Sequence, residues 1–81
     1  MNKPDEISFM RLLLANLEPR KTPYQLRGEP GFPANEKRAM FLLLKWSGKD
    51  WYNYGVSPYH GWLETEGIIA FEEILARLPK V

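Results

Sequence analysis

Apolar residues recur at helical spacing in three stretches of the chain, separated by segments rich in proline, glycine and aromatic residues. Residues three and four positions apart lie on the same side of a helix, so each stretch presents one apolar face to a core. The pattern therefore predicts three amphipathic helices, at roughly residues 5 to 17, 35 to 46 and 65 to 78.

Each predicted helix is bounded by residues that favour a helix end. Asp5, Asn35 and Thr65 are residue types whose side chains accept a hydrogen bond from the first helical turn, and we expect each to be a cap. Pro19 and Pro79 follow the first and third stretches, and proline cannot continue a helix. These signals support the three helical assignments.

Residues 51 to 62 contain five of the eleven large aromatic side chains of the chain, and two glycines and a proline interrupt them. The segment is too irregular for a helix, and its aromatic content with central turn residues predicts a short β-hairpin over residues 51 to 63. Its rings are more than one hairpin can bury, so some must pack on the helices or contact a partner. We assign four rings of the chain to the core: Phe41, Trp46, Trp51 and Phe71.

A proline-rich segment, residues 18 to 34, joins the first two helices. It carries four prolines and two glycines, which interrupt the backbone too often for a regular element of any length. Only residues 24 to 27 have the composition of a short strand. A structureless connection of this length is uncommon in a compact domain, so three interpretations remain: the strand pairs with the hairpin, the loop is a binding surface, or its prolines fix an inert loop over the core.

The predicted elements follow one another in the order α-(β)-α-β-β-α, where the bracketed strand is the optional one at residues 24 to 27. This order predicts an α+β fold in which the hairpin rings cover the packed helices. A chain of 81 residues without internal repeats is expected to form one small domain over residues 1 to 81. Such a domain buries about 60% of its unfolded surface, so its stability is modest.

The chain contains no cysteine, which excludes disulfides and thiolate metal sites. Its first residues lack the apolar segment of a signal peptide, and no apolar run approaches the length of a membrane span. We therefore expect a cytoplasmic protein without membrane association, stabilised by hydrophobic packing or by assembly with another chain.

Positive and negative charges nearly cancel over the whole chain, but they are unevenly distributed. Residues 1 to 49 contain nine Lys and Arg against five Asp and Glu, whereas residues 50 to 81 contain two against five. This asymmetry can hold the two halves together, or it can create a basic face for an anionic partner. It excludes a uniformly acidic surface of the kind that mimics nucleic acid.

No group of residues commits the chain to a catalytic chemistry. His60 is the only histidine, and one histidine without cysteines does not make a typical zinc or transition-metal site. Ser57, His60 and Asp50 are the residue types of a hydrolytic triad, but neither a nucleophile elbow nor a glycine-rich phosphate loop is present. We therefore expect a non-enzymatic protein without cofactor or metal, in which His60 stacks on a ring or donates a hydrogen bond in a turn.

One segment late in the chain has the order glycine, leucine, threonine, glycine and two spaced apolar residues: Gly61-Trp62-Leu63-Glu64-Thr65-Glu66-Gly67, then Phe71 and Leu75. It resembles the closing part of winged-helix proteins, in which the last wing strand runs through Leu-Thr-x-x-Gly into a final helix. The resemblance implies that residues 36 to 46 occupy the recognition position and that residues 51 to 62 are the wing. It also implies that three basic residues face DNA: Lys37, Arg38 and Lys45.

The aromatic hairpin and the basic, proline-rich loop favour protein binding, because tyrosine, tryptophan and arginine dominate interface energetics. Small, cysteine-free, aromatic-rich chains also resemble accessory proteins of bacteriophages and mobile elements that antagonise host machinery. Our leading hypothesis is a non-enzymatic inhibitor or adaptor that binds another protein or a second copy of itself. We expect the contact residues to come from the loop and the hairpin: Arg20, Lys21, Tyr24, Arg27, Tyr52, Tyr54, Tyr59, His60 and Trp62.

Overall fold

The computed structural model describes residues 3 to 78, which form three helices and a two-stranded antiparallel sheet. In chain order the elements are α1 (Lys3–Ala15), α2 (Glu36–Gly48), β1 (Tyr52–Tyr54), β2 (Gly61–Leu63) and α3 (Thr65–Ala76). A short 3₁₀ turn, Pro58–His60, lies between the two strands. The predicted α+β class is therefore confirmed, with the order α-α-β-β-α.

The helix ends follow the predicted signals only in part. The Asn35 side chain accepts hydrogen bonds from the backbone N–H groups of Lys37 (2.8 Å) and Arg38 (3.3 Å), so the predicted cap of α2 is confirmed. The other two predicted caps are wrong. Helix α1 begins before Asp5, which lies in its first turn, and α3 begins at Thr65 itself.

Glu64 occupies the residue position before α3, where a capping side chain would lie. Its carboxylate makes no hydrogen bond to the helix backbone and accepts one instead from the indole Nε1 of Trp62, at 2.9 Å. A negative charge at the amino end of a helix is still favoured by the helix dipole. The predicted stop of this helix at Pro79 lies outside the described residues.

Residues 16 to 35 form turns and bends, so the optional strand at residues 24 to 27 is not present. The backbone N–H groups of residues 25 to 27 each donate to the carbonyl three residues earlier, which closes successive turns and leaves no consecutive donors for a β-ladder. The loop still meets the hairpin, because the Tyr24 N–H donates to the Tyr59 carbonyl at 2.9 Å.

Three aromatic rings, one from each helix, meet at the centre of the core. The Trp46 ring centroid lies 5.4 Å from that of Phe9 and 4.8 Å from that of Phe71. Trp51 is half-buried and lies edge-on to Phe71 at 6.1 Å. The predicted core positions of Trp46 and Phe71 are confirmed, and Trp51 packs at the core edge. The other buried apolar side chains come from α1, the loop, α2 and the two strands: Met10, Leu13, Leu26, Ala39, Leu42, Leu43, Tyr52 and Leu63.

The prediction that Phe41 belongs to the core is wrong, because its side chain is 53% exposed. Helix α2 buries a different stripe, whose members recur at helical spacing: Ala39, Leu42, Leu43 and Trp46. Phe41 lies off that stripe. Since residues 39 to 44 form an uninterrupted apolar run, their sequence pattern alone does not indicate which side of the helix faces inward.

The strand pairing places three pairs of residues opposite one another: Tyr52 with Leu63, Asn53 with Trp62, and Tyr54 with Gly61. Gly61 has no space for a side chain, because a Cβ atom there would overlap the Asn53 carbonyl oxygen and the Tyr52 ring. This close approach allows the Tyr52 ring to lie against the backbone of β2. Its hydroxyl donates a hydrogen bond to the carbonyl of Pro58, which ties the hairpin connection to the core.

Candidate functional site

Helix α2 has a second apolar stripe that faces away from the core. Met40, Phe41 and Leu44 lie on this outer side, with Phe41 53% and Leu44 45% exposed. Together with Lys37 and Tyr59, they line an open groove of about 510 Å³. We refer to these five residues as the α2–Tyr59 surface.

The connection between the two strands places Tyr59 beside α2. The Ser57 Oγ accepts a hydrogen bond from the Tyr59 backbone N–H at 3.3 Å, and this contact caps the start of the 3₁₀ turn. The Tyr59 hydroxyl in turn donates to the Glu36 carbonyl, also at 3.3 Å. Burial raises the pKa of Tyr59, the Glu36 charge raises this pKa further, and Arg27 opposes the rise. The Tyr59 hydroxyl is therefore a neutral hydrogen-bond donor near neutral pH.

A stack of three side chains lies beside Tyr59, and we refer to it as the Tyr24 stack. The Arg27 guanidinium carbon lies 4.1 Å from the Tyr24 ring centroid, within the range of a cation–π contact. His60 lies 5.0 Å from the Tyr24 ring, with the two ring planes inclined by 25°. Tyr24 remains 47% exposed, so the stack can contact a partner.

The structure brings four of the predicted contact residues into one region: Tyr24, Arg27, Tyr59 and His60. Two come from the proline-rich loop and two from the hairpin connection. The backbone hydrogen bond between Tyr24 and Tyr59 holds the two segments together. The expected stacking of His60 on a neighbouring ring is also observed.

The predicted role of Tyr52 in partner binding is wrong, because its side chain is only 1% exposed. Its hydroxyl is used inside the fold, and the ring packs under β2 next to Gly61. Tyr54 is half-buried, with its ring centroid 6.4 Å from that of Tyr52, and it does not line the groove on α2. A binding role for Tyr54 stays a prediction.

Arg20, Lys21 and Trp62 lie in a different region from the α2–Tyr59 surface. They line a small cavity of about 20 Å³ together with residues of α1, including Leu13. A space of this size holds about one water molecule, so it is no ligand pocket. The basic residues of the loop are thus divided between two regions, with Arg27 alone joining the Tyr24 stack.

The three basic residues that the winged-helix resemblance implies have different surroundings. Lys37 is exposed and lines the groove on α2. The Lys45 Nζ lies 3.0 Å from a Glu6 carboxylate oxygen in α1, and the Arg38 guanidinium lies 5.7 Å from the Phe41 ring centroid. Lys45 and Arg38 therefore already have contacts within the protein.

A polar cavity of about 530 Å³ lies between the end of α2, the hairpin and the start of α3. Its carboxylates come from Asp50, Glu64 and Glu66, but no group of His, Cys, Asp or Glu able to hold a metal ion occurs within residues 3 to 78. Asp50 precedes β1, whereas Ser57 and His60 follow it. Of these three triad-like residues, Asp50 therefore lies at one end of the strand, and Ser57 and His60 lie beyond the other end.

Sequence reasoning missed Met40 and Leu44 as surface residues, and it assigned Phe41 to the core. A usable signal was present in the six-residue apolar run at positions 39 to 44. Six consecutive residues extend around more than a full helical turn, while a helix on a small domain buries only one side. Such a run must leave some apolar side chains exposed.

Comparisons of the chain with protein-family models, with curated proteins and with solved structures find no match. Within the part of the chain that the structure describes, no helix has both the length and the apolar character to span a bilayer. The function is therefore inferred from the surface of the protein itself.

Proposed function

We propose that this protein is a small non-enzymatic module that binds another protein through the α2–Tyr59 surface and the adjacent Tyr24 stack. One observation carries the proposal: Phe41 and Leu44 are each about half exposed on one helix face, in a groove that Tyr59 also lines. Grouped exposed apolar side chains mark interaction sites, whereas single ones are common and need no such explanation. The module acts in the cytoplasm as an inhibitor or adaptor, in the manner of phage and mobile-element accessory proteins.

The α2–Tyr59 surface and the Tyr24 stack supply different parts of the binding free energy. Complete burial of a fully exposed Phe or Leu side chain contributes about 1.5 to 3 kcal/mol. Phe41 and Leu44 form the apolar centre, and since each is already about half buried, each contributes about half of that value. Association costs about 4 to 15 kcal/mol in lost motional freedom, which these two side chains alone do not offset. Tyr24 and Arg27 are residue types that dominate interface energetics, and we assign the remaining contacts to them.

Site-specific photo-crosslinking tests this proposal in a native lysate. A benzophenone amino acid at position 41 is expected to crosslink a protein partner, because this position lies at the centre of the groove. The matched control carries the same probe at position 11, an exposed position of α1 that lines no part of the groove. An excess of the unmodified protein should suppress crosslinking to proteins of the lysate, whereas an excess of the Phe41→Asp/Leu44→Asp variant should not.

Equal crosslinking from positions 41 and 11, or equal competition by the two unlabelled proteins, would contradict the proposal. Both results would show that capture does not depend on the apolar centre of the surface.

DNA binding is the alternative function, and it rests on the winged-helix resemblance and on the exposed Lys37 in α2. It predicts an affinity for DNA that falls steeply with salt, because the bound phosphates release counterions. Under this alternative, Lys37→Ala weakens DNA binding and reduces its salt dependence, while Phe41→Ala leaves both unchanged. Under the protein-binding proposal, unlabelled Phe41→Ala suppresses partner crosslinking less than the unmodified protein does, and neither variant is retained on DNA at physiological salt.

A further inference from the structure

The outer face of α3 is acidic and has an exposed apolar centre. Ile69 is 52% exposed, and the exposed residues Glu66, Glu72 and Glu73 lie three or four positions from it. Residues at these spacings share one side of a helix, so the three carboxylates surround Ile69. We refer to these four residues as the α3 face.

The α2–Tyr59 surface carries the opposite charge around its apolar centre. Lys37 and Lys45 lie four residues before and after Phe41, so the two cations flank the ring along the helix axis. Lys37 lines the groove, whereas Lys45 forms an ion pair with Glu6 of α1, in which the Nζ atom lies 3.0 Å from a carboxylate oxygen. Glu36 is the acidic residue on the groove, at its end near Tyr59.

The two surfaces also match in length. At a rise of about 1.5 Å per residue, the eight-residue step from Lys37 to Lys45 spans about 12 Å, and the seven-residue step from Glu66 to Glu73 spans about 10.5 Å. Two helices packed side by side can therefore bring both carboxylates near both cations. The apolar centres, Phe41 and Ile69, then lie opposite each other.

We propose that the α2–Tyr59 surface binds the α3 face of a second copy of this chain. The inference rests on the proposed function and names its partner. The uneven charge of the chain favours this partner, since the half with excess Lys and Arg contains α2 and the half with excess Asp and Glu contains α3. Ile69 of one copy packs into the groove of the other copy, beside Phe41 and Leu44. The glutamates of the α3 face then lie near Lys37 of that other copy.

This contact is heterologous, because it joins two different surfaces of the same molecule. A dimer keeps one surface of each kind free, so assembly continues beyond it unless the chain of protomers closes into a ring. A contact made mainly by two helix faces is small compared with the area of about 800 Å² per partner in stable complexes. Association is therefore weak, and salt weakens it further by screening the charges.

Sedimentation analysis of the full chain at low salt tests the proposal with two surface variants. Wild-type protein is expected to show a mass that rises with concentration and exceeds that of a dimer. Phe41→Asp disables the α2–Tyr59 surface and Ile69→Asp disables the α3 face, so each variant alone stays monomeric. Their equimolar mixture forms a heterodimer and nothing larger, because only one compatible pair of surfaces remains.

Three results would overturn the proposal: a monomeric wild type at all concentrations, an Ile69→Asp variant that still self-associates, or a mixture that forms no heterodimer. The second result would mean that two α2–Tyr59 surfaces contact each other. Circular dichroism and thermal melting of both variants establish that the monomers are folded.

Charge reversal gives an independent measurement that leaves the apolar centres intact. Lys37→Glu and Glu73→Lys are each expected to lower the association constant about three- to tenfold at low salt, since each turns an attraction into a repulsion. Mixing these two variants restores association, because the charges are again opposite. No loss with either variant, or no recovery in the mixture, would exclude the assigned helix pairing.

The proposed function and this inference fail in different ways. A monomeric wild type that still crosslinks another protein from position 41 removes only the inference. The absence of any crosslinked species from position 41, together with a monomeric wild type, removes both.

Discussion

Tyr52 shows how one residue can carry a strong interface signal in the sequence and still be internal. Its ring lies against Gly61 of the neighbouring strand, where the absence of a side chain leaves room for it. Burial raises the pKa of Tyr52 well above its ordinary value of 10.0, and the Gly61 backbone opposes this rise in part. The folded protein therefore favours the neutral hydroxyl that donates to Pro58.

The raised pKa of Tyr52 predicts a loss of stability at high pH. Below about pH 10 Tyr52 is protonated in both the folded and the unfolded state, and its contribution to the free energy of unfolding is fully present. Above that pH the unfolded state releases the proton while the folded state retains it, so the free energy of unfolding falls by about 1.4 kcal/mol per pH unit from this group. The Tyr52→Phe variant lacks this pH-dependent contribution. At neutral pH the substitution lowers the free energy of unfolding by about 1 kcal/mol, because the hydrogen bond to Pro58 is lost.

Urea unfolding of both proteins between about pH 8 and pH 11 measures this effect, because all other titrating groups are common to both. The stability difference between wild type and Tyr52→Phe should shrink above pH 10. A difference that stays constant with pH would mean that Tyr52 ionises alike in the folded and unfolded states.

The most exposed aromatic rings lie outside the hairpin, although the aromatic-rich sequence of the hairpin predicts them there. Within residues 3 to 78, the large rings with the greatest exposure are Tyr24 in the loop and Phe41 on α2, while Tyr54, Tyr59 and Trp62 of the hairpin are half-buried. A surplus of aromatic side chains does reach the surface. Its location follows from the packing of the helices and not from the segment where rings are densest.

At the scale of elements, α2 is apolar on two sides. Its inner stripe packs against α1 and α3 through Trp46, and its outer stripe forms the groove with Tyr59. A helix of this kind needs a second partner for its outer stripe, either from within the protein or from outside it. Tyr59 covers only part of that stripe and leaves Phe41 and Leu44 exposed.

Helix α3 packs directly against the backbone that precedes β1, and Gly67 permits this. A Cβ atom at position 67 would overlap the carbonyl oxygen of Trp51, which already accepts a hydrogen bond from the Glu64 N–H at 2.9 Å. We expect Gly67→Ala to lower the free energy of unfolding by about 3 kcal/mol, despite the better helix propensity of alanine. Urea unfolding measures the change.

Gly48→Ala is the matched control, since Gly48 lies at the end of α2 with open space around its Cβ position. This variant should be neutral or more stable by up to about 1 kcal/mol, as helix propensity alone predicts. If Gly67→Ala behaved like Gly48→Ala, α3 would have room to move away from Trp51, and the close contact would not be required by the fold.

At the scale of the whole molecule, one core joins all three helices and the hairpin. A domain of this size has a total stability of about 4 to 12 kcal/mol, so the loss of one central ring is a large fraction of it. Phe9→Ala removes a fully buried ring next to Trp46 and is expected to cost about 3 to 5 kcal/mol. Phe41→Ala makes the same chemical change at an exposed position and should cost less than about 1 kcal/mol.

Thermal unfolding followed by tryptophan fluorescence and by far-ultraviolet circular dichroism tests this contrast. The two probes should report the same transition in the wild type, because a single core leaves no part to unfold independently. A comparable loss of stability in both variants would mean that Phe41 belongs to the core and that the proposed binding surface is not a free one.

Features that depend on neighbours within a few positions are predictable from the amino-acid pattern. Helical periodicity, the Asn35 cap and the turn-rich aromatic segment indicated three helices and a hairpin, because each signal arises from residues that interact locally. The lone histidine and the absence of cysteine likewise excluded a typical transition-metal site without reference to the fold.

Three features are set when the elements pack together: the side of α2 that faces inward, the internal position of Tyr52, and the contact of Tyr24 in the loop with Tyr59 in the hairpin. These outcomes depend on contacts between residues far apart in the chain, and local patterns carry no information about them. An apolar run longer than one helical turn fits either orientation of its helix equally well. Packing against Phe9 and Phe71 selects one orientation, and the apolar side chains left outside become the candidate binding surface.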